Sequence, residues 1–337
     1  MPRSERIVEN LNAALHRLFA EDELVYLIGE DLLDPYGGAF KVAKGLSSKY
    51  PDRVLTTPLS ESGFVGVANG LALCGNKVVT EIMFGDFALL SFDQLCNFAA
   101  KSVTMYGSRL PLRLVVRCPV GGHRGYGPTH SQSVQKHFIG VPNLWLYEMT
   151  PLHDNGAVFA EMLAREEPCV FFEDKTLYGQ RRWVDGDDDV FRFDFLGERG
   201  QYGRATPEDV DRPDCVVIAT GGTAPLALEA ARRLFLESEI ACHVLVPYRL
   251  YPFDIDPISS LLERADHIVV VEESVAGGTW GAEVAQHIYG RLWDRLNDRI
   301  RLVHSAPSII PTAPHLERQV LVQSESVYAT VREAIRD

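Results

Sequence analysis

Short apolar runs recur along the chain, and between them apolar positions return at the spacing of a helix face. The runs LVYLIGE (24–30), RVLTTPL (53–59), KVVTEIMF (77–84), LRLVVRCP (112–119), LWLYEM (144–149) and CVFFED (169–174) predict strands. Between them, SGFVGVANGLALCG (62–75) places Phe64, Val65, Ala68, Leu71 and Ala72 on one helix face, and ALLSFDQLCNFAAKSV (88–103) predicts another helix. Several strands are apolar on consecutive residues, as a parallel sheet covered on both faces requires. From Leu177 to about Asp214 the alternation dissolves into charge, Gly and turn residues. It then resumes with a strand in CVVIATGG (215–222), a helix in LALEAARRLFLES (226–238) and strands in ACHVLVPY (241–248) and HIVVVEES (267–274). A helix GAEVAQHIYGRLWDRL (281–296), a strand IRLVHSA (300–306) and a helix SESVYATVREAI (324–335) complete the pattern. Repeated strand–helix units predict α/β architecture in two doubly wound domains, 1–190 and a smaller 215–337, joined by a linker over 191–214.

A chain of 337 residues suits two domains and needs no disulfide or metal to stabilise its cores. Its composition, 46% apolar and 23% charged, is ordinary for a globular protein. The net charge of −13 argues against nucleic acid or an anionic membrane as partner, since either favours a basic face. Six cysteines, Cys74, Cys96, Cys118, Cys169, Cys215 and Cys242, form no CxxC pair and no zinc-ligand spacing. Several sit inside apolar runs, as buried free thiols do, which points to a reducing compartment. The first residues form a charged amphipathic helix without the apolar core of a signal peptide, and no stretch has the ~20 apolar residues of a membrane helix. A soluble, cytoplasmic protein is expected.

Ligands of open α/β sheets bind beyond the carboxyl ends of the strands. Three predicted ends carry unusual residues: Ser60-Glu61-Ser62-Gly63, Phe84-Gly85-Asp86-Phe87, and a glycine-rich loop from Val120 to His130. In a parallel sheet all three project from one edge. Glu61 has two accounts. A carboxylate at a helix N-terminus is favourable by about 0.3–1 kcal/mol; alternatively, a partly buried acid pairs with a ligand nitrogen. The loop holds Gly121, Gly122, Gly125 and Gly127 with His123 and His130. Either its backbone approaches a ligand closely or it is a flexible connection with solvated histidines. It matches neither phosphate-binding glycine fingerprint. Phe84 and Phe87 read as core packing or as a stacking platform for a planar ring. Asp93 and Gln94, within an apolar helix, suggest a hydrogen-bonded role at a subunit contact or site. His16, His287 and His304 have no evident partners and read as surface or core residues.

Taken together, GEDLLDPYGGAFKVAKGL (29–46), RVLTTPLSESGFVGVANGLALCG (53–75), EIMFGDFALLSFDQLCNFAAK (81–101), VVRCPVGG (115–122), HSQS (130–133), PCVFFEDKTLYG (168–179) and EESVAGGTWGAEVAQHI (272–288) resemble the beta subunit of the 2-oxo acid dehydrogenase first component, pyruvate and branched-chain type. That group belongs to the transketolase-like superfamily, and the segments run in the family order over nearly the whole chain. The resemblance implies a pyrimidine-binding first domain and a transketolase C-terminal-like second domain. It implies thiamine diphosphate as cofactor. Glu61 matches the glutamate that hydrogen-bonds the aminopyrimidine and promotes loss of the thiazolium proton. Phe87 matches the aromatic residue packed on that ring, and Gln94 falls within the cofactor-binding segment. His130 matches the active-site histidine suited to proton transfer. The family's diphosphate and magnesium motif, GDG followed by Asn-Asn, is not carried: Gly85-Asp86-Phe87 is not GDG, and Asp185-Gly186-Asp187 has no Asn-Asn downstream. An alpha chain holding the diphosphate and Mg is therefore implied, in an assembly of two alpha and two beta chains. Some relatives also brace the beta chain with a monovalent cation.

The sequence departs from the dehydrogenase pattern at Gly-Pro-Thr-His (127–130), which is closer to transketolases, and at His123-Arg124, which adds basic character. Arg124 suits a substrate carboxylate or phosphate, or is a surface residue. Three readings result. The first is a dehydrogenase subunit passing an acyl group to a lipoyl acyltransferase. The second is a split transketolase-like or acyloin-forming carbon–carbon bond enzyme, and the third is a non-catalytic scaffold.

Overall fold

The computed structural model describes residues 5–186 and 188–336. Asp187, part of the Asp185-Gly186-Asp187 run noted above, lies outside the described residues. The chain forms two compact units: one from the residues up to Val120 with His137–Met149 and Asp154–Arg181, the other from Gly121–Lys136, Thr150–His153 and the residues from Arg182 onward.

The first unit contributes strands β1 (Val25–Gly29), β2 (Val54–Thr56), β3 (Lys77–Glu81), β4 (Leu114–Val120), β5 (Trp145–Glu148) and β6 (Cys169–Asp174). They run parallel in the order β5-β6-β4-β3-β1-β2. Every residue of β4 and β6 is buried, which explains why these runs are apolar without alternation. Helix Ile7–Glu21 buries Ile7, Leu11, Ala14, Leu15 and Phe19, a single stripe at helical spacing. The chain leaves β1 for β2 on one side and returns through helix Glu61–Leu73 to β3 on the other. The carboxyl ends of β1 and β3 thus flank a topological switch point, where doubly wound sheets open a crevice. A Cβ on Gly29 would stand 2.3 Å from the Glu81 carbonyl oxygen, so any side chain there would force the two strands apart.

The second unit holds β7 (Phe191–Leu196), β8 (Tyr202–Pro207), β9 (Cys215–Ala219), β10 (Cys242–Pro247), a short β11 (Arg249–Tyr251), β12 (His267–Val275) and β13 (Arg301–Ser305). Its six-stranded sheet has the order β13-β12-β9-β10-β8-β7. Helix Ala224–Ser238 packs Ala227, Ala230, Ala231 and Leu234 into a core with Val217, Val244, Val269, Val327 and Val331. β9 has β10 on one side and the later β12 on the other, so a second switch point lies between β9 and β12.

Two expected elements differ. The stretch 191–214, expected as a linker, carries the antiparallel pair β7–β8, and β8 extends the second sheet by pairing with β10. Phe191 and Phe193 are buried while Arg192 and Asp194 are exposed. This alternation is that of a sheet with one face in the core and one in water, so the charges mark a face and not a loop. The helix expected over 88–103 is broken. Gly85–Ala88 is α-helical, Leu89–Ser91 is a tighter 3₁₀ turn, Gln94–Ala99 is π-helical and Ala100–Ser102 closes the segment. No helix among the described residues is long and apolar enough to cross a membrane.

Candidate functional site

Two carboxylates meet at the first switch point. Glu30 follows β1 directly, is only 4% exposed, and has both oxygens buried, with the Ser60 backbone N–H as a weak neighbour. Burial, then the negative charges of Glu61 and Asp31, push its pKa up to about 7 against the weaker pull of the Ser60 backbone. Glu61 is the first residue of helix Glu61–Leu73 and is also buried. Ser60 ahead of it makes no side-chain cap, so the exposed backbone N–H groups of the first turn favour a negative charge at this place. Glu30 therefore holds its proton to near neutrality. That is a group able to hold or pass a proton to a ring nitrogen.

Aromatic residues stand close by in sequence order. Phe84 and Phe87 are arranged edge to face with centroids 6.4 Å apart, and Phe40 meets Phe84 edge-on at 5.9 Å. Both Phe84 and Phe87 remain partly exposed. The Lys175 ammonium, on a fully buried side chain, lies 5.6 Å from the Phe84 ring centre. Gln94 begins the π-helical segment, a feature that recurs at functional sites. Its carbonyl accepts from Asn69 Nδ2 at 3.0 Å, which ties this segment to the helix that begins at Glu61. Glu61, Phe87 and Gln94 therefore belong to one unit and its carboxyl-edge segments.

Behind this edge lies a fully buried ion network. Arg117 Nε donates to Glu173 Oε1 at 2.7 Å, the same guanidinium also pairs with Glu81, and Tyr178 Oη donates to Glu173 Oε2 at 2.6 Å. Burial alone would depress Arg117, but Glu173 and Glu81 more than reverse it and fix the positive charge. The network locks the carboxyl ends of β3, β4 and β6 together.

In the second unit the glycine-rich loop carries the other expected residues. His123 Nε2 lies 3.0 Å from Glu273 Oε2, and the Gly122 N–H donates to Glu273 Oε1 at 2.8 Å. The Gly125 N–H points between both oxygens of the buried Glu317, at 3.3 Å from each. Arg124 is exposed. His130 Nδ1 lies 2.7 Å from Thr129 Oγ1. After His130 the next helical residues are the short 3₁₀ turn Gln135–Phe138. Sequence reasoning missed Glu30, Arg117, Glu273 and His304. The signals were a carboxylate directly after an apolar strand (Glu30, Glu273) and a lone charge inside one (Arg117). His304 is partnered, with Nε2 at 3.1 Å from Thr279 Oγ1 and 3.4 Å from Glu272 Oε1.

Residues 6–180 match the family described as transketolase, pyrimidine binding domain, and residues 205–327 match transketolase, C-terminal domain. The chain belongs to the transketolase-like family. Within it, the chain is 30% identical to the pyruvate dehydrogenase E1 component subunit beta-2, mitochondrial, of Oryza sativa subsp. japonica, with 97% of this chain and 85% of that one covered. It is 29% identical to the beta subunit of acetoin:2,6-dichlorophenolindophenol oxidoreductase from Cupriavidus necator, with 100% and 99% covered. A solved structure of a split gene transketolase, described as an inactive beta4 tetramer, shares the fold with a TM-score of 0.73 at 20% identity, covering 99% of each chain. The family's beta subunits are thus similar to this chain over its full length, through both domains and the segment between them. Among the described residues, no group of three or more His, Cys, Asp or Glu could hold a metal ion.

Proposed function

We propose that this chain is the beta subunit of a thiamine-diphosphate-dependent 2-oxo acid dehydrogenase. The observation that carries this reading is the acid pair at the first switch point, with Glu30 raised to about 7 and its oxygens buried beside Glu61. With the cofactor bound, Glu61 would hydrogen-bond its pyrimidine nitrogen, and Glu30 would hold a proton beside it. Phe87 would pack on the pyrimidine, and the Gln94 carbonyl, which accepts from Asn69, ties the adjoining segment to the Glu61 helix. When bound, the cofactor supplies the nucleophilic carbon and the electron sink that decarboxylation of a 2-oxo acid needs. His130 moves a proton at the substrate oxygen, while His123 and Arg124 meet the substrate carboxylate. An alpha chain supplies the diphosphate and Mg ligands in an assembly of two alpha and two beta chains, and a lipoyl acyltransferase accepts the acyl group. The six free cysteines suit a reducing, cytosolic setting.

The experiment is reconstitution with an alpha chain that carries the GDG and Asn-Asn motif. Carbon dioxide release from pyruvate or a branched-chain 2-oxo acid, with acylation of an added lipoyl domain, is the expected outcome. Tight binding of the whole cofactor with Mg by this chain alone would sink the reading. A second reading is carbon–carbon bond chemistry on an acyloin, favoured by the full-length likeness to a subunit named for acetoin. Turnover of acetoin without any lipoyl protein would select it.

A further inference from the structure

The second switch point, between the carboxyl ends of β9 and β12, is where a doubly wound sheet ordinarily receives a ligand. Here the chain's own glycine-rich loop occupies it. Thr220 follows β9, and Glu272, Glu273 and Ser274 form the end of β12. Adjacent strand residues point to opposite sides, and these two carboxylates have different tasks. Glu272 accepts from the Gly281 N–H at 2.7 Å and from Ser274 Oγ at 3.0 Å, with His304 also beside it, so it is used in seating helix Trp280–Leu292. Glu273 turns to the loop. It accepts from the Gly122 N–H at 2.8 Å and from Ser133 Oγ at 3.2 Å, with His123 Nε2 3.0 Å away, and it is itself only 8% exposed. Lys136 closes the far end of the loop by donating to the Val275 carbonyl at 3.0 Å.

The loop is fitted to this seat. A Cβ on Gly122 would fall 2.2 Å from Leu321 Cδ1, and one on Gly127, whose φ is +73°, would fall 2.4 Å from Thr312 Oγ1. His123 holds a φ of +62°, a backbone conformation that side chains avoid unless their surroundings impose it. The Glu273 carboxylate stands opposite Nε2 of this ring, 3.0 Å away.

We propose that Glu273 is a positioning residue for the reaction: its carboxylate receives the glycine-rich loop as an internal ligand and thereby sets where His123 and His130 stand. This rests on the assignment of those histidines to the active site. Two measurements test it on the full-length chain. Hydrogen exchange over 121–133 is compared between wild type and Glu273→Ala, with helix Ala224–Ser238 as the internal control. Faster loop exchange with an unchanged control is expected; equal loop exchange overturns the proposal. Should Glu273→Ala fail to fold, Ser133→Ala, which removes one of the loop's donors to Glu273, takes its place with the same readout. In the reconstituted complex, Glu273→Gln and His123→Ala are measured singly and together. A kcat loss, with a coupling of about fivefold or more in kcat/KM between the two, is expected; additive effects overturn the proposal. If the wild-type complex turns over neither a 2-oxo acid nor an acyloin, the function reading fails, while the exchange experiment still decides whether Glu273 seats the loop.

Discussion

Glu30 and Glu61 differ in what removal should do, because one is placed to touch a ring nitrogen and the other to tune it. Glu61→Gln should lower kcat of the reconstituted enzyme by about 10²–10⁴-fold, the range for a positioned proton-transfer group. A loss of less than threefold would remove Glu61 from the chemistry. Glu30→Gln should act on the pH profile. With its pKa raised to about 7, Glu30 changes charge in the neutral range, and replacing it should flatten the kcat–pH curve between about pH 6 and 8. An unaltered profile would refute titration of Glu30 in that range. The same shift has a stability consequence. The folded state keeps the Glu30 proton up to a higher pH than the unfolded chain does, so stability declines as pH rises from about 4.5 through 7. Glu30→Gln should remove that decline, as read from urea midpoints at pH 5 and pH 8.

At the scale of elements, the carboxyl ends of β3, β4 and β6 depend on Arg117, whose side chain is 1% exposed between Glu81 and Glu173. Arg117→Met leaves two buried carboxylates facing each other and should cost about 3–5 kcal/mol in urea unfolding. Replacing Arg117, Glu81 and Glu173 together by apolar residues of similar volume should cost far less, since no buried charge is then left alone. A single-mutant loss below about 1 kcal/mol would show that water reaches the network. The broken helix after β3 belongs to the same scale. Periodicity predicted one helix over 88–103, but the π-helical turn begins at Gln94, where Asn69 of the neighbouring helix reaches its carbonyl. A tertiary contact set the local winding there.

Across the whole molecule, Glu30 and His153, one in each unit, make opposite contributions to the pH dependence of stability. His153, buried in the second unit, is pushed down to about 4 by burial; its Nε2 lies 2.9 Å from the Gly200 carbonyl and its Nδ1 2.7 Å from Thr150 Oγ1. The unfolded chain binds a proton here below about pH 6.5 and the folded chain does not, so stability falls as pH drops from there towards 4, by up to about 3 kcal/mol. His153→Gln should reduce the acid sensitivity of the second unit's unfolding transition while leaving the Glu30 contribution intact. The sequence by itself determined the alternation of strand and helix, the doubly wound architecture and the strand ends that carry Glu61, Phe87 and the glycine-rich loop, because burial imposes periodicity and glycine density on contiguous residues. It did not show that Phe191 to Pro207 completes a sheet, that Glu30 shares a crevice with Glu61, or that Glu273 meets His123 across 150 positions of chain. Those are pairings of charge and hydrogen bond between segments distant in sequence. Only the folded path of the backbone sets them, since a carboxylate's pKa and partners depend on what surrounds it in space.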